Sequence, residues 1–447
     1  MHHQPLLVAA LLAAVSPFAS AQWLQQNPAS SPTARTGAAM AFVPQNAGLV
    51  LFGGSAPLVN NQTWVYDGTN WTQLSPATSP TGRFGGQLVF DAQRGVAVYY
   101  GGLASNISIP APTSETWEWD GTTWAQQTGV GSAGPLYRYG ACYDSVRGKV
   151  VMFGGSTSQL LLPPSNATWE YDGATWTQVT TTGNPGGRDR PAMCFHAGTG
   201  RTVLFGGCNG TALTDQTWLY DGLTATWIQV PITGPKPSPR NAAVMVYDSA
   251  RDVCILHGGQ DSTNVLSDTW VFDGIAWSET TTTTQTIRDH AMAFLPTTNQ
   301  VVKFGGFVAA PNTTSNETWQ LGGATFGIGC AGTNGVPTLT ANAAVIGQTL
   351  QMNITGLEPS INLGFLALGT SRVGGVDLGF LGAPGCLAYT TPDLLLSVVG
   401  AAGTANFTWP VSGPLGAWLF TQGLVFDPTA NPFGLTTSNA LWFTLTN

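Results

Sequence analysis

Charged side chains are scarce in this sequence. Only 9% of the 447 residues are Asp, Glu, Lys or Arg, whereas globular proteins contain about 25%. The chain has three lysines and a formal net charge of −8. Proteins that bind nucleic acids need a stripe of basic side chains to contact phosphates, so this composition argues against a nucleic-acid partner. A disordered chain is also excluded, because disorder requires few aromatics and this sequence has 16 tryptophans.

Long apolar runs are lacking beyond the N-terminus, and none reaches the roughly 18 residues that a membrane-spanning helix needs. At the N-terminus itself, residues 5–15 form a short apolar segment, and Ala19-Ser20-Ala21 gives a small-residue cleavage pattern before Gln22. This pattern predicts a signal peptide over residues 1–21. The mature protein is then expected to be secreted, periplasmic or exposed on the cell surface, where disulfides are permitted.

Glycine is abundant, with 56 residues, and part of it follows a repeat. A Gly-Gly doublet after an apolar, strand-like run occurs six times, at intervals of 47 to 53 residues. Each doublet is followed by a Thr-Trp pair, and five repeats continue to an Asp-Gly and a second Trp, as in WVYDGTNW at 64–71. Asp-Gly between strand-like residues predicts a hairpin, because glycine readily adopts positive φ. The doublets are Gly53-Gly54, Gly101-Gly102, Gly154-Gly155, Gly206-Gly207, Gly258-Gly259 and Gly305-Gly306.

Each repeat therefore predicts four short strands, a to d, with the doublet after strand b and the two tryptophans in strands c and d. Six similar units of about 50 residues are typical of a β-propeller. The apolar strand, the Gly-Gly and the two aromatics, such as Trp64 and Trp71, resemble the repeats of the kelch family. This resemblance covers residues 23–323. It implies a six-bladed, all-β propeller in which strand a lines the central channel and strand d is outermost.

The two ends of the repeat array are complementary. The segment WLQQNPASSPTAR at 23–35 parallels WTQLSPATSPTGR at 71–83, so Trp23 marks a strand d without a blade ahead of it. The last repeat ends at 318–323 and has no second Trp. We therefore expect the N-terminal strand to complete the sixth blade, which leaves no open sheet edge. The predicted propeller spans residues 22–325.

The composition changes beyond the repeats. Residues 326–447 contain no lysine and one arginine, Arg372, and their alternating segments predict six to eight strands of a small β-sandwich module. Cys330 and Cys386 are the only cysteines of this module, and we expect them to form an internal disulfide. Four more cysteines lie in the propeller, where buried thiols are the favoured interpretation and their pairing is left open. They are Cys142, Cys194, Cys208 and Cys254.

Motifs for catalysis and metal binding are missing. The sequence has no C-x-x-C, H-E-x-x-H, G-x-S-x-G or P-loop pattern. Beyond the predicted signal peptide there are three histidines, His196, His257 and His290, and they occupy different strand positions. This difference argues against a shared metal site. We expect neither a metal nor a cofactor.

Arginine gives the one indication of a binding site. Six arginines recur near the start of strand a, once in each repeat. Repetition favours a structural role in which each guanidinium binds loop carbonyls. Alternatively, the six surround the channel mouth and bind a carboxylate or another anionic group, as some arginines at this position do in kelch recognition domains. The candidates are Arg35, Arg83, Arg138, Arg188, Arg240 and Arg288.

Three functions are compatible with these patterns. The first, which we favour, is a secreted, non-enzymatic protein that binds a protein, peptide or anionic glycan through its loops and channel mouth. The second is a sugar-acting enzyme similar to the kelch-type sialic acid epimerase, for which Glu317, Asp289 and His290 are candidates for acid and base. The third is a structural component of the cell envelope or matrix.

Overall fold

The repeats fold into short antiparallel strands, and the only helix among the described residues is a 3-10 turn at Pro44–Asn46. The computed structural model describes residues 22–55, 58–104, 111–159, 163–280, 285–310 and 312–322, and ten strands beyond them. The predicted signal peptide, Cys330 and Cys386 lie outside the described residues.

Six four-stranded antiparallel sheets, called blades 1 to 6 here, contain the repeats. The chain begins with β1 (Gln22–Gln26). Blade 1 contains β2 (Ala39–Val43), β3 (Gly48–Phe52), β4 (Thr63–Tyr66) and β5 (Trp71–Leu74). After the short β6 (Arg83–Phe84), blade 2 contains β7 (Gln87–Asp91), β8 (Val96–Tyr100), β11 (Thr116–Trp119) and β12 (Trp124–Gln127), with β9 (Leu103–Ala104) and β10 (Ala111–Pro112) pairing outside it.

Blades 3 to 6 repeat this order. Blade 3 contains β13 (Gly140–Asp144), β14 (Lys149–Phe153), β15 (Thr168–Tyr171) and β16 (Trp176–Val179). Blade 4 contains β17 (Ala192–His196), β18 (Arg201–Phe205), β19 (Thr217–Asp221) and β20 (Thr226–Gln229). Blade 5 contains β21 (Val244–Asp248), β22 (Val253–His257), β23 (Thr269–Phe272) and β24 (Trp277–Thr280). Blade 6 contains β26 (Ala291–Leu295), β27 (Gln300–Phe304), β30 (Thr318–Gly322) and β1, and β25 (Ile287–Arg288), β28 (Phe307–Val308) and β29 (Thr313–Thr314) form a separate small sheet.

The N-terminal strand is the fourth strand of blade 6. It runs antiparallel to β30, and Trp23 lies opposite Leu321. The innermost strands of consecutive blades contact one another in the order β2, β7, β13, β17, β21 and β26, and β26 contacts β2 again. The prediction of an all-β, kelch-type propeller is confirmed.

A repeated tryptophan contact joins the blades, which explains why each Thr-Trp pair is coupled to a second Trp. Each strand-d indole donates a hydrogen bond of 2.8–3.0 Å to the hydroxyl of the threonine that begins strand c of the preceding blade. Trp23 makes the same bond to Thr269, so the N-terminal strand joins blade 6 to blade 5. These tryptophans are at most 4% exposed, and they bury large apolar areas while their only polar atom is satisfied.

Ten further strands lie between residues 325 and 444. They pair as a five-stranded sheet, a three-stranded sheet and a two-stranded sheet. A separate sandwich domain stays a prediction. The strands are β31 (Thr325–Phe326), β32 (Thr338–Ala341), β33 (Thr349–Thr355), β34 (Leu363–Gly369), β35 (Arg372–Asp377), β36 (Leu387–Thr390), β37 (Leu394–Val399), β38 (Thr404–Pro410), β39 (Trp418–Phe426) and β40 (Leu435–Thr444).

Candidate binding site at the channel mouth

Four of the six predicted arginines are buried between loops and do not line the cavity at the channel mouth, whose lining includes Gly37, Arg138 and Arg190. The side chains of Arg35, Arg83, Arg188 and Arg240 are at most 4% exposed. Their own carbonyls accept a hydrogen bond from the second glycine of the preceding doublet, as Gly207 N–H does to Arg240 at 2.8 Å. These arginines therefore connect neighbouring blades.

Arg240 shows what the buried guanidinium does. It donates to the carbonyl of Gly258, the first glycine of its own blade's doublet, at 3.1 Å. Two further bonds of 2.6 and 2.7 Å reach the two carboxylate oxygens of Asp268, which also accepts the Trp270 indole N–H at 2.7 Å. The arginine thus ties the glycine turn to the loop before strand c. Corresponding acceptors shared between an arginine and a strand-c tryptophan are Gln62, Glu115 and Gln216.

Arg138 and Arg288 do not occupy the position of these four, which corrects the assumption that all six are equivalent. In blade 3 the equivalent carbonyl belongs to Leu136, and in blade 6 it belongs to Ile287. In blade 3 the loop acceptor is also missing: Ala167 stands two positions before Trp169, so a buried arginine there would lack this side-chain partner. Blade 6 keeps an acceptor, Glu317, which bonds to the Gln285 amide and the Trp319 indole.

The mouth of the channel is built on a closed ring of backbone hydrogen bonds. One residue from each blade adopts positive φ just before strand a and donates its N–H to the carbonyl of the equivalent residue of the preceding blade, at 2.6–3.2 Å. The last bond, from Gly37 to Asp289, returns to the start of the ring. The ring residues are Gly37, Gly85, Arg138, Arg190, Ala242 and Asp289.

Three of the six ring residues carry charged side chains, although positive φ favours glycine. Glycine adopts this conformation at little cost, whereas a larger residue is strained unless its surroundings hold it in place. Arg138, Arg190 and Asp289 nevertheless have φ values of 58°, 52° and 51°. Such conformations cluster at functional sites, and here Arg138, Arg190 and Asp289 are among the residues that line a cavity of about 70 Å³ at the channel mouth.

The two arginines of this rim differ in their partners. Arg190 Nη1 lies 3.6 Å from Asp289 Oδ2, an oxygen that also accepts Arg288 Nη1 at 2.6 Å. Arg138 lies over the Tyr137 ring, 4.7 Å from its centroid, and donates a weak bond of 3.4 Å to the Tyr137 hydroxyl. In the part of the chain that the structure describes, no carboxylate forms an ion pair with Arg138.

Charges of both signs act on Arg138, because Arg190 lies near it while the carboxylates of Asp189 and Asp289 act in the opposite direction. Burial, followed by the positive charge of Arg190, lowers the pKa of Arg138, although arginine stays charged at any physiological pH. The Nε atom of Arg190 is buried without a hydrogen-bond partner. An anion between the two rim arginines would relieve their repulsion and use this unsatisfied donor.

Comparison with known proteins agrees with this architecture. Residues 114–306 match the model of the KLHDC2/KLHL20/DRC7 Kelch-repeats domain. The chain contains kelch repeats. This match runs from the third strand of blade 2 into the second strand of blade 6. No curated protein matches the chain.

A polar cluster lies beside the kelch channel between blades 5 and 6. Lys303 Nζ is 2.7 Å from His257 Nε2, and the His257 and His290 rings are 5.4 Å apart. Lys303 also lies over the Trp23 ring. Burial lowers the pKa of Lys303 to about 7 and holds the pKa of both histidines well below 6.5, so the imidazoles are neutral at pH 7. The sequence did not connect these residues, because they come from different strand positions.

The remaining candidates are dispersed. His290 and Asp289 line the channel-mouth cavity, whereas Glu317 accepts hydrogen bonds from the Trp319 indole and the Gln285 amide. His196 lies 3.5 Å from Asp252 at the other end of strand a. Within the described ranges, no three His, Cys, Asp or Glu side chains are grouped as metal ligands, and no helix is long and apolar enough to cross a membrane.

Proposed function

We propose that this protein is an exported, non-enzymatic binding protein that recognises an acidic group of a protein or peptide at the mouth of its kelch channel. Kelch repeats commonly mediate protein–protein interaction. The observation that carries the proposal is Arg138, a residue that lines the channel-mouth cavity and whose guanidinium has no ion-pair partner among the described residues. Arg190 is a second arginine in the same cavity lining.

The surrounding loops provide a larger contact surface at the same end. Arg35 lies in the segment before strand a and bonds to Asn60 and Gln62 in the loop before strand c. The segment before strand a and the loop before strand c therefore lie at the same end of the blade. These loops differ in length between blades while the strands stay in register. Loops on a rigid scaffold are where binding specificity is usually found. We propose that the acidic group fixes the ligand at the rim while the loops contact the rest of it.

The test is to immobilise the full chain, select peptides that bind it from a random peptide-display library, and measure the affinities of the selected peptides. We expect Asp, Glu or a terminal carboxylate to be enriched. Arg138→Met and Arg190→Met should each weaken binding by about 10-fold or more, because a charge-assisted hydrogen bond contributes about 1.5–3 kcal/mol. Arg201→Met is the matched control, since Arg201 is partly exposed and pairs with Asp221 away from the mouth.

Selected peptides without an acidic group, or equal affinities of Arg138→Met and wild type, would contradict recognition at the rim. Export is tested separately by sequencing the N-terminus of the mature protein, which should begin at Gln22. An intact N-terminus at Met1 would refute the export part of the proposal and leave the binding part unaffected.

A further inference from the structure

Two cysteine sulfurs from neighbouring blades lie close to bonding distance. Cys194 is in β17, the innermost strand of blade 4, and Cys254 is in β22, the second strand of blade 5. Their Sγ atoms are 2.9 Å apart, about 0.9 Å longer than a disulfide bond. Cys142, in contrast, has the Thr202 hydroxyl as its neighbour at 3.4 Å.

The side chains that surround the two cysteines are apolar. Cys194 and Cys254 are 5% and 0% exposed and belong to one apolar cluster that includes Val203, Phe205 and Leu256. A metal would need further ligands, and the described part of the chain has no group of three candidate ligands. The short distance between the two sulfurs therefore does not reflect a shared metal ion, and the partner of each thiol in this cluster is the other thiol.

We propose that Cys194 and Cys254 form an interblade disulfide when the chain folds in the presence of a small disulfide oxidant such as oxidised glutathione. One cysteine thiolate attacks the oxidant and releases one molecule of its thiol, and the second cysteine then displaces the other. The protein loses two hydrogens as two electrons and two protons, and the oxidant becomes two thiols. An S–S bond forms between the blades as the S–S bond of the oxidant breaks.

Burial determines when this bond can form. It raises the pKa of Cys194 well above the usual value for a thiol, so thiolate is scarce once the blades have packed. Exchange is then expected during folding, before the pair is covered, and the finished disulfide should resist external thiols. The bond would span the interface where the ring hydrogen bond from Ala242 to Arg190, at 3.2 Å, is the longest of the six.

The experiment uses the full chain, reduced and unfolded, then refolded with mixed oxidised and reduced glutathione. Remaining thiols are alkylated, and the protein is digested without reduction. Trypsin separates the two cysteines from each other and from Cys208, because it cleaves after Arg188, Arg201, Arg240 and Arg251. We expect one linked peptide pair containing Cys194 and Cys254, about 2 Da lighter than the sum of the reduced peptides.

Cys194→Ser and Cys254→Ser should each abolish this linked pair, and the matched control Cys142→Ser should retain it. The wild-type peptide map decides the proposal even if a variant fails to fold. Alkylation of both cysteines after oxidative refolding, or their linkage to other cysteines, would overturn it. Linkage of Cys330 to Cys386 gives different peptides and leaves the outcome unaffected.

Discussion

Replacing Arg240 by alanine tests whether the buried arginine side chains stabilise the fold by tying the glycine turn to the loop before strand c. The side chain is 1% exposed and donates hydrogen bonds to Gly258, to both carboxylate oxygens of Asp268, and to the backbone and hydroxyl of Ser238. Its removal leaves the Gly258 carbonyl and the Asp268 carboxylate without the guanidinium donors, whereas the bond from the Trp270 indole to Asp268 remains.

The expected loss in the free energy of unfolding follows from this environment. Removing one partner of a buried ion pair costs about 3–5 kcal/mol, because the other charge stays buried without compensation. The Asp268 side chain is 22% exposed, so water partly replaces the lost donors and we expect a value near the lower end, about 3 kcal/mol. Arg240→Lys should recover only part of the loss, since lysine keeps the charge but not the planar fork.

Equilibrium unfolding in urea at pH 7 measures this quantity. Arg201→Ala is the control: its side chain is 34% exposed and makes one ion pair, with Asp221 at 3.3 Å, for which a loss below about 1 kcal/mol is expected. If Arg240→Ala lost no more than Arg201→Ala, the buried arginines would not carry the structural role assigned to them.

Two further predictions concern blade 6. Trp23→Ala removes a buried indole and its bond to Thr269, and should lower the free energy of unfolding by about 3–5 kcal/mol in urea or thermal denaturation. The control is Leu24→Ala, at a neighbouring residue that is 49% exposed. Equal losses of stability in the two variants would contradict closure of the propeller by this strand. The pKa of Lys303, lowered from 10.5 to about 7 in the folded protein, means that the unfolded state binds more protons between these values, so this group makes wild-type stability rise from pH 7 towards 10.5. Lys303→Met lacks this contribution, and its stability relative to wild type should therefore be highest near pH 7 and decline towards pH 10; a stability difference independent of pH would refute the assignment.

The blade pattern was predictable because the same contacts recur in each repeat. Every unit buries a strand-d tryptophan that bonds to a threonine of the preceding blade, so the sequence must keep Thr, Trp and Gly-Gly in register. Trp23 extends this pattern to the N-terminal strand. A contact that recurs in six units requires the same residues at a regular spacing, and that spacing is visible in the sequence.

The candidate site was harder to predict because it departs from the repeat. Twelve residues separate Trp71 from Arg83, but twelve residues after Trp124 stands Leu136, and Arg138 lies two positions later. That offset was the available signal that Arg138 belongs to the rim. Arg190 had no periodic signal at all, because the equivalent ring positions of other blades hold different residues.

Contacts between different strand positions were also beyond the reach of the pattern. Cys194 lies in the first strand of its blade and Cys254 in the second strand of the next. Alignment of repeats compares residues at the same position, so it does not bring these two together. The packing angle between neighbouring blades determines their distance, and the sequence does not state that angle.

A structure of the full chain bound to a peptide from the selection tests the central claim most directly. The account predicts that an acidic group of the peptide lies in the channel-mouth cavity, within hydrogen-bond distance of the Arg138 guanidinium and next to Arg190. A peptide bound elsewhere on the propeller, with Arg138 contacting only Tyr137, would contradict it.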